Sequence, residues 1–346
     1  MRPLPERQKE SARKGEPSSP ILSVIIPAYN VEDFIVPAIH SVLTQSLNDL
    51  EVIVVNDGST DATEARVQGI ADERVHLIYR ENGGLSAARN TGIRAAGGRY
   101  IALLDGDDVW LPGYAARHVS ALDTDPTLGI SYNYLAYIDE QGEPTGQFLI
   151  SRKACPSLEE LIGRNHIGSG NVVVRRQCFE QAGLFDERLR ACEDIEMWIR
   201  VLHKTNYQAR IIPEALTGYR VRSTSLTMQF EQQVRNARMA ADIIKEEVGI
   251  SQRLWRRFVA EAYRIASRKA LSNRQTVEAR ELLGEALRLR PLLFLTDLRA
   301  AGTFLLVTSE RVLPVRVHLF PYQTARALMR LFFRMFIGGT KKVDRR

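Results

Sequence analysis

From Leu22 to Leu104 the chain alternates short, dense apolar runs with stretches in which apolar residues recur every three or four positions. Leu22 to Ala28 (LSVIIPA) and Leu50 to Val55 are rich in β-branched residues, as suits strands buried on both faces. Val75 to Tyr79 and Tyr100 to Leu104 repeat the pattern. Between the first two runs, Phe34, Ile35, Ala38, Ile39, Val42 and Leu43 trace one face of a helix over Val31 to Leu43. Pro37 falls inside it and predicts a separate first turn, because proline tolerates only the start of a helix. Further helices are predicted from Ala62 to about Ala71 and from Leu85 to Ala96. Strands alternating with helices in this way predict an α/β fold, with a mostly parallel central sheet and helices on both faces.

Beyond Trp110 the pattern is less regular. Leu111 and Pro112 are read as opening a helix to about Leu122, and Leu128 to Ile138 as a strand ending in the turn Asp139 to Gly142. Polar Glu143 to Ser157 is read as an irregular loop over the site. Leu158 to Ile162 is a short helix, Ile167 to Arg175 a glycine-bearing turn and strand, and Gln177 to Ala182 a helical turn. Ala191 to Leu202 is an amphipathic helix, Tyr207 to Ile212 an edge strand and Thr217 to Thr227 a loop. Helices are expected at Gln229 to Glu247, Gln252 to Lys269 and Gln275 to Leu289. The implied organisation is a leader over 1–20, a catalytic domain over 21–228, a helical appendage over 229–290 and a tail over 291–346.

Composition refines this picture at the two ends. The first twenty residues are charged and proline-punctuated without an apolar core, which predicts a disordered leader and neither signal peptide nor anchor. Net charge is +6, yet Arg288 to Arg346 alone holds twelve Arg or Lys against three acids, an excess of +9, so the rest of the chain stands near −3. Basicity confined to the tail suits an anionic lipid surface or a phosphorylated partner, and no basic–aromatic pattern crosses the main domain to suggest nucleic acid. In Thr324 to Ile337, Arg326, Arg330 and Arg334 recur every four residues among Leu328, Leu331, Phe332, Met335 and Phe336. That spacing fits a helix lying in a membrane interface, or one docked on protein, including homo-oligomerisation through the C-terminal helices. Leu292 to Val307 is apolar but too interrupted for a membrane span. Cys155, Cys178 and Cys192 have no paired spacing, so neither a disulfide framework nor a zinc site is indicated and a reducing compartment fits best.

The candidate chemistry lies where apolar runs stop. YIALLDGDDVW ends a buried strand in Asp105, Asp107 and Asp108, adjacent acids that repel unless solvated or neutralised. A strand and acidic turn account for the tetrapeptide alone, but such acids also suit Mg²⁺ or Mn²⁺ at the carboxyl end of a strand. The turns Pro27 to Asn30, Asn56 to Ser59 and Asp105 to Asp108 converge on that one edge. ACEDIEMW places Glu193 and Asp194 at a helix N-terminus, which favours an ionised carboxylate and hence a general base; ordinary first-turn acidic preference is the competing reading, and Glu196 is expected to be structural or solvent-facing. Arg220 and Arg222 would supply donors to a diphosphate if near one.

Together SVIIPAYN, EVIVVNDGSTD, NGGLSAARNTG, YIALLDGDD, GSGNVVVRR, GLFDE and CEDIEMW resemble the inverting, nucleotide-sugar-dependent family 2 glycosyltransferases of bacteria, with the GT-A fold. The resemblance covers Leu22 to Thr227. It implies that Pro27, Ala28 and Tyr29 line the nucleotide pocket, that Asp57 bonds the base with Glu51 supporting its loop, and that Arg89 contacts the nucleotide while Asn90 helps close its site. It further implies Asp105 at the ribose or metal shell, Asp107 as metal ligand, Asp108 in support, and Asp194 as base with Glu193 beside it. The expected donor is a nucleoside-diphosphate sugar, uridine first, and the expected acceptor a lipid-linked glycan of bacterial surface polysaccharide. The location implied is cytoplasmic, peripheral at the inner membrane face. Relatives often carry histidine where this chain has Arg222, a permanent cation that cannot ligate a metal. A sugar nucleotidyltransferase would want a glycine-rich basic loop after the first strand, and PAYNVEDF has neither glycine nor lysine; no GxGxxG follows it to suit a dinucleotide oxidoreductase. A non-catalytic nucleotide-sugar-binding scaffold of the same fold is the alternative of a different class.

Overall fold

A computed structural model describes residues 19–151, 154–163, 167–168, 170–222, 230–293 and 298–309. The leader up to residue 18 and the arginine-spaced segment Thr324 to Ile337 lie outside the described residues.

The first half is built as β1 (Leu22–Ala28), α1 (Ile35–Leu43), β2 (Leu50–Asn56), α2 (Thr63–Gln68), β3 (Val75–Tyr79), α3 (Leu85–Ala95) and β4 (Tyr100–Leu103). These four strands lie parallel in the order β3-β2-β1-β4, with Leu22 opposite both Leu50 and Tyr100. Every residue of β1 is buried, which is why its run is apolar without alternation. The turn Val31–Phe34 closes on the Val31 carbonyl, and the regular helix starts at Ile35. Pro37 thus falls in the first turn, where its missing N–H has no intrahelical partner to lose.

The second half adds β5 (Val109–Trp110), α4 (Tyr114–Thr124), β6 (Leu128–Ile138), β7 (Pro144–Leu149), α5 (Leu158–Gly163), β8 (Val172–Arg175), α6 (Arg176–Ala182), α7 (Glu193–Lys204) and β9 (Gln208–Arg220). The sheet continues β4-β8-β6-β9-β5, with β7 on β6. β8 is antiparallel to both neighbours, whereas β6 and β9 are parallel.

Three expectations are corrected here. The polar stretch after Gly142 is not all loop, since β7 pairs with β6. Helix α4 begins at Tyr114, because Val109 and Trp110 first pair with Gly218 and Thr217. The short edge strand becomes thirteen-residue β9, lying between β6 and β5 and running on to Arg220. Pro213 and Glu214 are exposed where the register shifts opposite Asn133 and Tyr134, and this bulge breaks the alternation that would have marked one continuous strand.

Helix α3 packs unusually close to the sheet. A Cβ on Gly92 would come within 2.3 Å of Ile25 Cγ2 and 3.3 Å of Val55 Cγ2. Gly92→Ala is therefore expected to destabilise by about 1–3 kcal/mol through overpacking, despite the better helix propensity of alanine. Urea denaturation checks this, and an unchanged midpoint would refute the close approach.

Among the described residues one compact unit holds those up to Arg222 with Arg238–Leu254, and a second holds 230–237 and those from Trp255 onward. The C-terminal elements are α8 (Phe230–Val248), α9 (Gln252–Ser272), α10 (Thr276–Leu289) and α11 (Leu298–Ser309). Helices α9 and α10 form a hairpin in which Ser267 Oγ donates to the Ala279 carbonyl at 2.6 Å. Tyr263, Ala266, Ser267, Ala270, Ala279 and Leu283 are buried in this hairpin. Among the described residues no helix is long and apolar enough to cross a membrane.

Candidate active site

The loops that follow β1 and β2 are laced together at the carboxyl edge of the sheet. Asp57 N donates to the Ala28 carbonyl at 2.9 Å, and Thr60 N to Asn30 Oδ1 at 2.9 Å, with Asn30 in the left-handed region at φ 52°. Pro27 and Ala28 end β1 in the core, while Tyr29 stands 51% exposed at the rim. The Asp57 carboxylate accepts from Arg80 Nη1 at 2.7 Å, Gly83 N at 3.0 Å and Gly84 N at 2.7 Å, and the residue is only 3% exposed. Asp57 fixes the loop entering α3, where Gly84 adopts φ 89°. Glu51 does not support that loop. It lies at the opposite end of β2 and accepts from Ser23 Oγ at 2.6 Å and Gly97 N at 2.7 Å, shaping the turn into β4.

Beyond β4 the three acids take different surroundings. Asp105 and Asp107 have partly exposed side chains, whereas Asp108 is buried. Asp108 Oδ1 accepts the Arg220 backbone N–H at 2.8 Å and its Oδ2 is buried without a partner. Burial first, then the Asp107 and Asp105 charges, hold its carboxyl well above the usual range. Asp107 is raised by burial and by Asp105, against the pull of Arg222. Asp108 therefore braces the turn.

The two arginines separate in role. Arg220 donates from Nε to the Asp107 carbonyl at 2.7 Å and from Nη1 to the carbonyls of Asp139 and Glu140, both at 2.9 Å. It clamps the backbone through Nε and Nη1 and is buried. Arg222 Nη1 donates to Asp107 Oδ2 at 2.9 Å, beside the acidic turn. Both guanidinium groups lie over the Phe34 ring, at 5.0 and 4.6 Å, a platform that nothing in the spacing around Phe34 announced.

Helix α7 carries the other acids. Glu193 is its first residue, after Cys192 at φ 63°, and Asp194 is half-buried with Oδ1 accepting its neighbour Ile195 N–H at 2.7 Å. The Asp194 carboxyl is pushed up to about 7, by burial first and then by the Glu193 charge. This corrects the expectation that the helix N-terminus would dominate and hold it ionised; desolvation and a like charge outweigh that effect. Glu196 is structural, buried against Arg200 at 2.7 Å.

Arg89 is also relocated. Its side chain is 1% exposed, with Nη2 donating to Asp105 Oδ1 at 2.8 Å and Nη1 to Glu193 Oε1 at 2.7 Å. A direct nucleotide contact is closed to it. Asn90 bonds the backbone of Phe185 in both directions, with each distance 2.9 Å. The signal for both was the small-residue context LSAARNTG, which lets α3 sink into the core and forces its polar residues to find protein partners.

Among the described residues no three His, Cys, Asp or Glu side chains form a metal-holding group. The donor set nonetheless fits a hard divalent cation: Asp105 and Asp107 offer carboxylate oxygens at one turn, and the charge of Asp105 works against ionisation of Asp107, a repulsion that such a cation relieves. Mg²⁺ is commonly held by one or two carboxylates completed by substrate phosphates and water.

Residues 23–183 match the family described as Glycosyl transferase family 2. The putative teichuronic acid biosynthesis glycosyltransferase TuaG of Bacillus subtilis (strain 168) is 32% identical over 212 residues, covering 60% of this chain and 82% of that protein. The uncharacterized glycosyltransferase EpsJ of the same organism is 34% identical over 219 residues, covering 60% of this chain, which spans 63% of EpsJ. In structure, residues 1–349 of S. aureus TarS in complex with UDP-GlcNAc superpose with TM-score 0.62 at 18% identity, covering 84% of this chain and 91% of that one. The mannosyltransferase PcManGT of Pyrobaculum calidifontis, in complex with GDP-Man and Mn²⁺, gives 0.56 at 18% identity, covering 97% and 94%. The fold is that of the GT-A glycosyltransferases. With TuaG matched over most of its length, the chain belongs to glycosyltransferase family 2.

Proposed function

We propose that this protein is an inverting glycosyltransferase that moves a sugar from a nucleoside-diphosphate sugar to an acceptor hydroxyl. The observation that carries the reading is the meeting of two acid groups far apart in sequence: Asp105, beside Asp107, and Glu193, beside Asp194, share Arg89. Asp107 and Asp105 would hold the divalent ion, which when bound neutralises charge on the donor diphosphate. Asp194 removes the proton of the acceptor hydroxyl, whose oxygen attacks the anomeric carbon opposite the departing nucleoside diphosphate. A carboxyl titrating near 7 combines sufficient basicity with a useful ionised fraction at neutral pH. Arg222, freed from Asp107, supplies donors to the phosphates.

Pro27, Ala28 and Tyr29 border the nucleoside, with exposed Tyr29 as the stacking surface and Asp57 acting through the loop it holds. A uridine donor is favoured by the UDP-GlcNAc of TarS, and GDP-Man in PcManGT keeps guanosine open. The putative role of TuaG in teichuronic acid biosynthesis supports a glycan acceptor of the cell surface, lipid-linked in this reading. The catalytic part is assigned to 21–228 and the helical appendage to 229–290. The basic tail from 291 would hold the enzyme to the inner membrane face.

The test is a screen of nucleotide-sugar donors for Mn²⁺-dependent release of nucleoside diphosphate, with parallel binding titrations. One donor should release, and Asp107→Ala should weaken its Mn²⁺-dependent binding by about 10–100-fold. Absence of both binding and release across all donors would remove the transferase reading; binding without turnover, acceptors and membranes included, would favour the scaffold.

A further inference from the structure

We propose that Arg89 is the positioning residue that holds the base-bearing helix α7 in register with the acids of β4. This rests on the transferase reading above. The guanidinium does not grip one carboxylate with both nitrogens. It divides them, Nη2 on Asp105 Oδ1 at 2.8 Å and Nη1 on Glu193 Oε1 at 2.7 Å, joining residues 88 positions apart in the chain, since 193 less 105 is 88. Its Nε is buried without a partner, and the Phe185 ring lies 5.6 Å from Cζ. Being 1% exposed, the side chain acts on reactants only through the two acids it fixes.

Arg89 belongs to a longer seam. Ser86 Oγ donates to the Leu189 carbonyl at 3.2 Å, and Asn90 Nδ2 to the Phe185 carbonyl and to Glu187 Oε1, both at 2.9 Å. One face of α3 therefore holds the whole run from Phe185 to Glu193 that delivers Asp194. The same helix begins at the loop pinned by Asp57 through Gly83 and Gly84. Only the Arg89 contact is ionic across to β4. Without it, Asp105 and Glu193 lose their shared counter-charge and the start of α7 loses its only described ion pair to the acidic turn. Lysine, a single point charge, cannot reproduce the divided grip.

Cys192, immediately before Glu193, is a native reporter of this position. Cys178 is buried, so Cys155→Ser leaves Cys192 as the accessible thiol among the described residues. In that background, full-length Arg89→Lys and Arg89→Met are compared with the parent by maleimide labelling, thermal melting and, with the donor from the screen, steady-state kinetics. Labelling of Cys192 should accelerate about tenfold in folded variants, as a local opening made ~1.4 kcal/mol easier would give. Arg89→Lys should lower kcat about 100-fold and leave donor KM within about threefold, the signature of misplaced catalytic geometry. Unchanged labelling in folded Arg89→Lys and Arg89→Met overturns the proposal. So does a rise in donor KM at unchanged kcat, which would make Arg89 a donor ligand. Faster labelling in a protein whose parent binds no donor would uphold the seam while removing the transferase reading, so the two fail separately.

Discussion

Asp194→Asn is expected to lose acceptor-dependent transfer and to gain stability at the same time. The first effect follows from removing the proton acceptor and should amount to about 10²–10⁴-fold in kcat. The second follows from the carboxyl's position near 7, raised by burial and by Glu193 above its unfolded value of 3.8. Because the folded value is the higher one, the native chain binds more protons than the unfolded chain between those limits, and stability falls as pH rises through that window. At about 1.4 kcal/mol per pKa unit the ceiling is about 4 kcal/mol. Partial solvation of the half-buried group reduces it to about 1–2 kcal/mol. Asparagine stays neutral and keeps an oxygen for the Ile195 N–H. Urea denaturation should show the variant more stable at pH 8, with the advantage shrinking towards pH 4. Wild-type kcat should climb with pH through about 7. An advantage independent of pH, or a variant that still transfers, would remove Asp194 from the base role.

The parallel half of the sheet was legible because its central strands are buried on both faces, and a short unbroken β-branched run suits few environments besides that one. Leu128–Ile138 was readable residue for residue, and the helices from Phe230 to Leu289 within a few positions. What escaped was decided by partners distant in sequence. β7 and β5 are strands only because β6 and β9 pair with them, and β9 hides behind the Pro213–Glu214 bulge. The acids could be found from their positions at strand and helix ends, but their ionisation could not. The helix N-terminus argued for an ionised Asp194, and only the folded surroundings show burial and Glu193 prevailing. Arginine reads as surface in a linear sequence, so the buried roles of Arg89, Arg200 and Arg220 required the fold.

Breaking the Glu196–Arg200 pair from either side is the second large effect, and here it falls on stability. The two side chains are 1% and 7% exposed, and the grip is bidentate, Nε to Oε1 at 2.7 Å and Nη2 to Oε2 at 2.9 Å. Arg200 also donates from Nη1 to the Ala182 carbonyl at 2.6 Å and from Nη2 to that of Leu184 at 2.7 Å, tying α7 to the end of α6. Glu196→Leu leaves a buried guanidinium without its bidentate carboxylate, with Glu247 only at 3.9 Å from Nε, and should cost about 3–5 kcal/mol in urea denaturation. Arg200→Met strands the carboxylate and two carbonyls together and should cost at least as much. Replacing both removes the uncompensated charge, so the double variant should recover part of the loss. It should not recover all of it, because the carbonyls of Ala182 and Leu184 still lack their donor, at about 1–3 kcal/mol for each such group. Full recovery would mean that the ion pair alone matters; additive losses would mean that the two charges never compensated each other. The intermediate result follows from a guanidinium that neutralises a carboxylate on its own helix while capping the helix beside it, which is how α7 keeps a fixed place against α6.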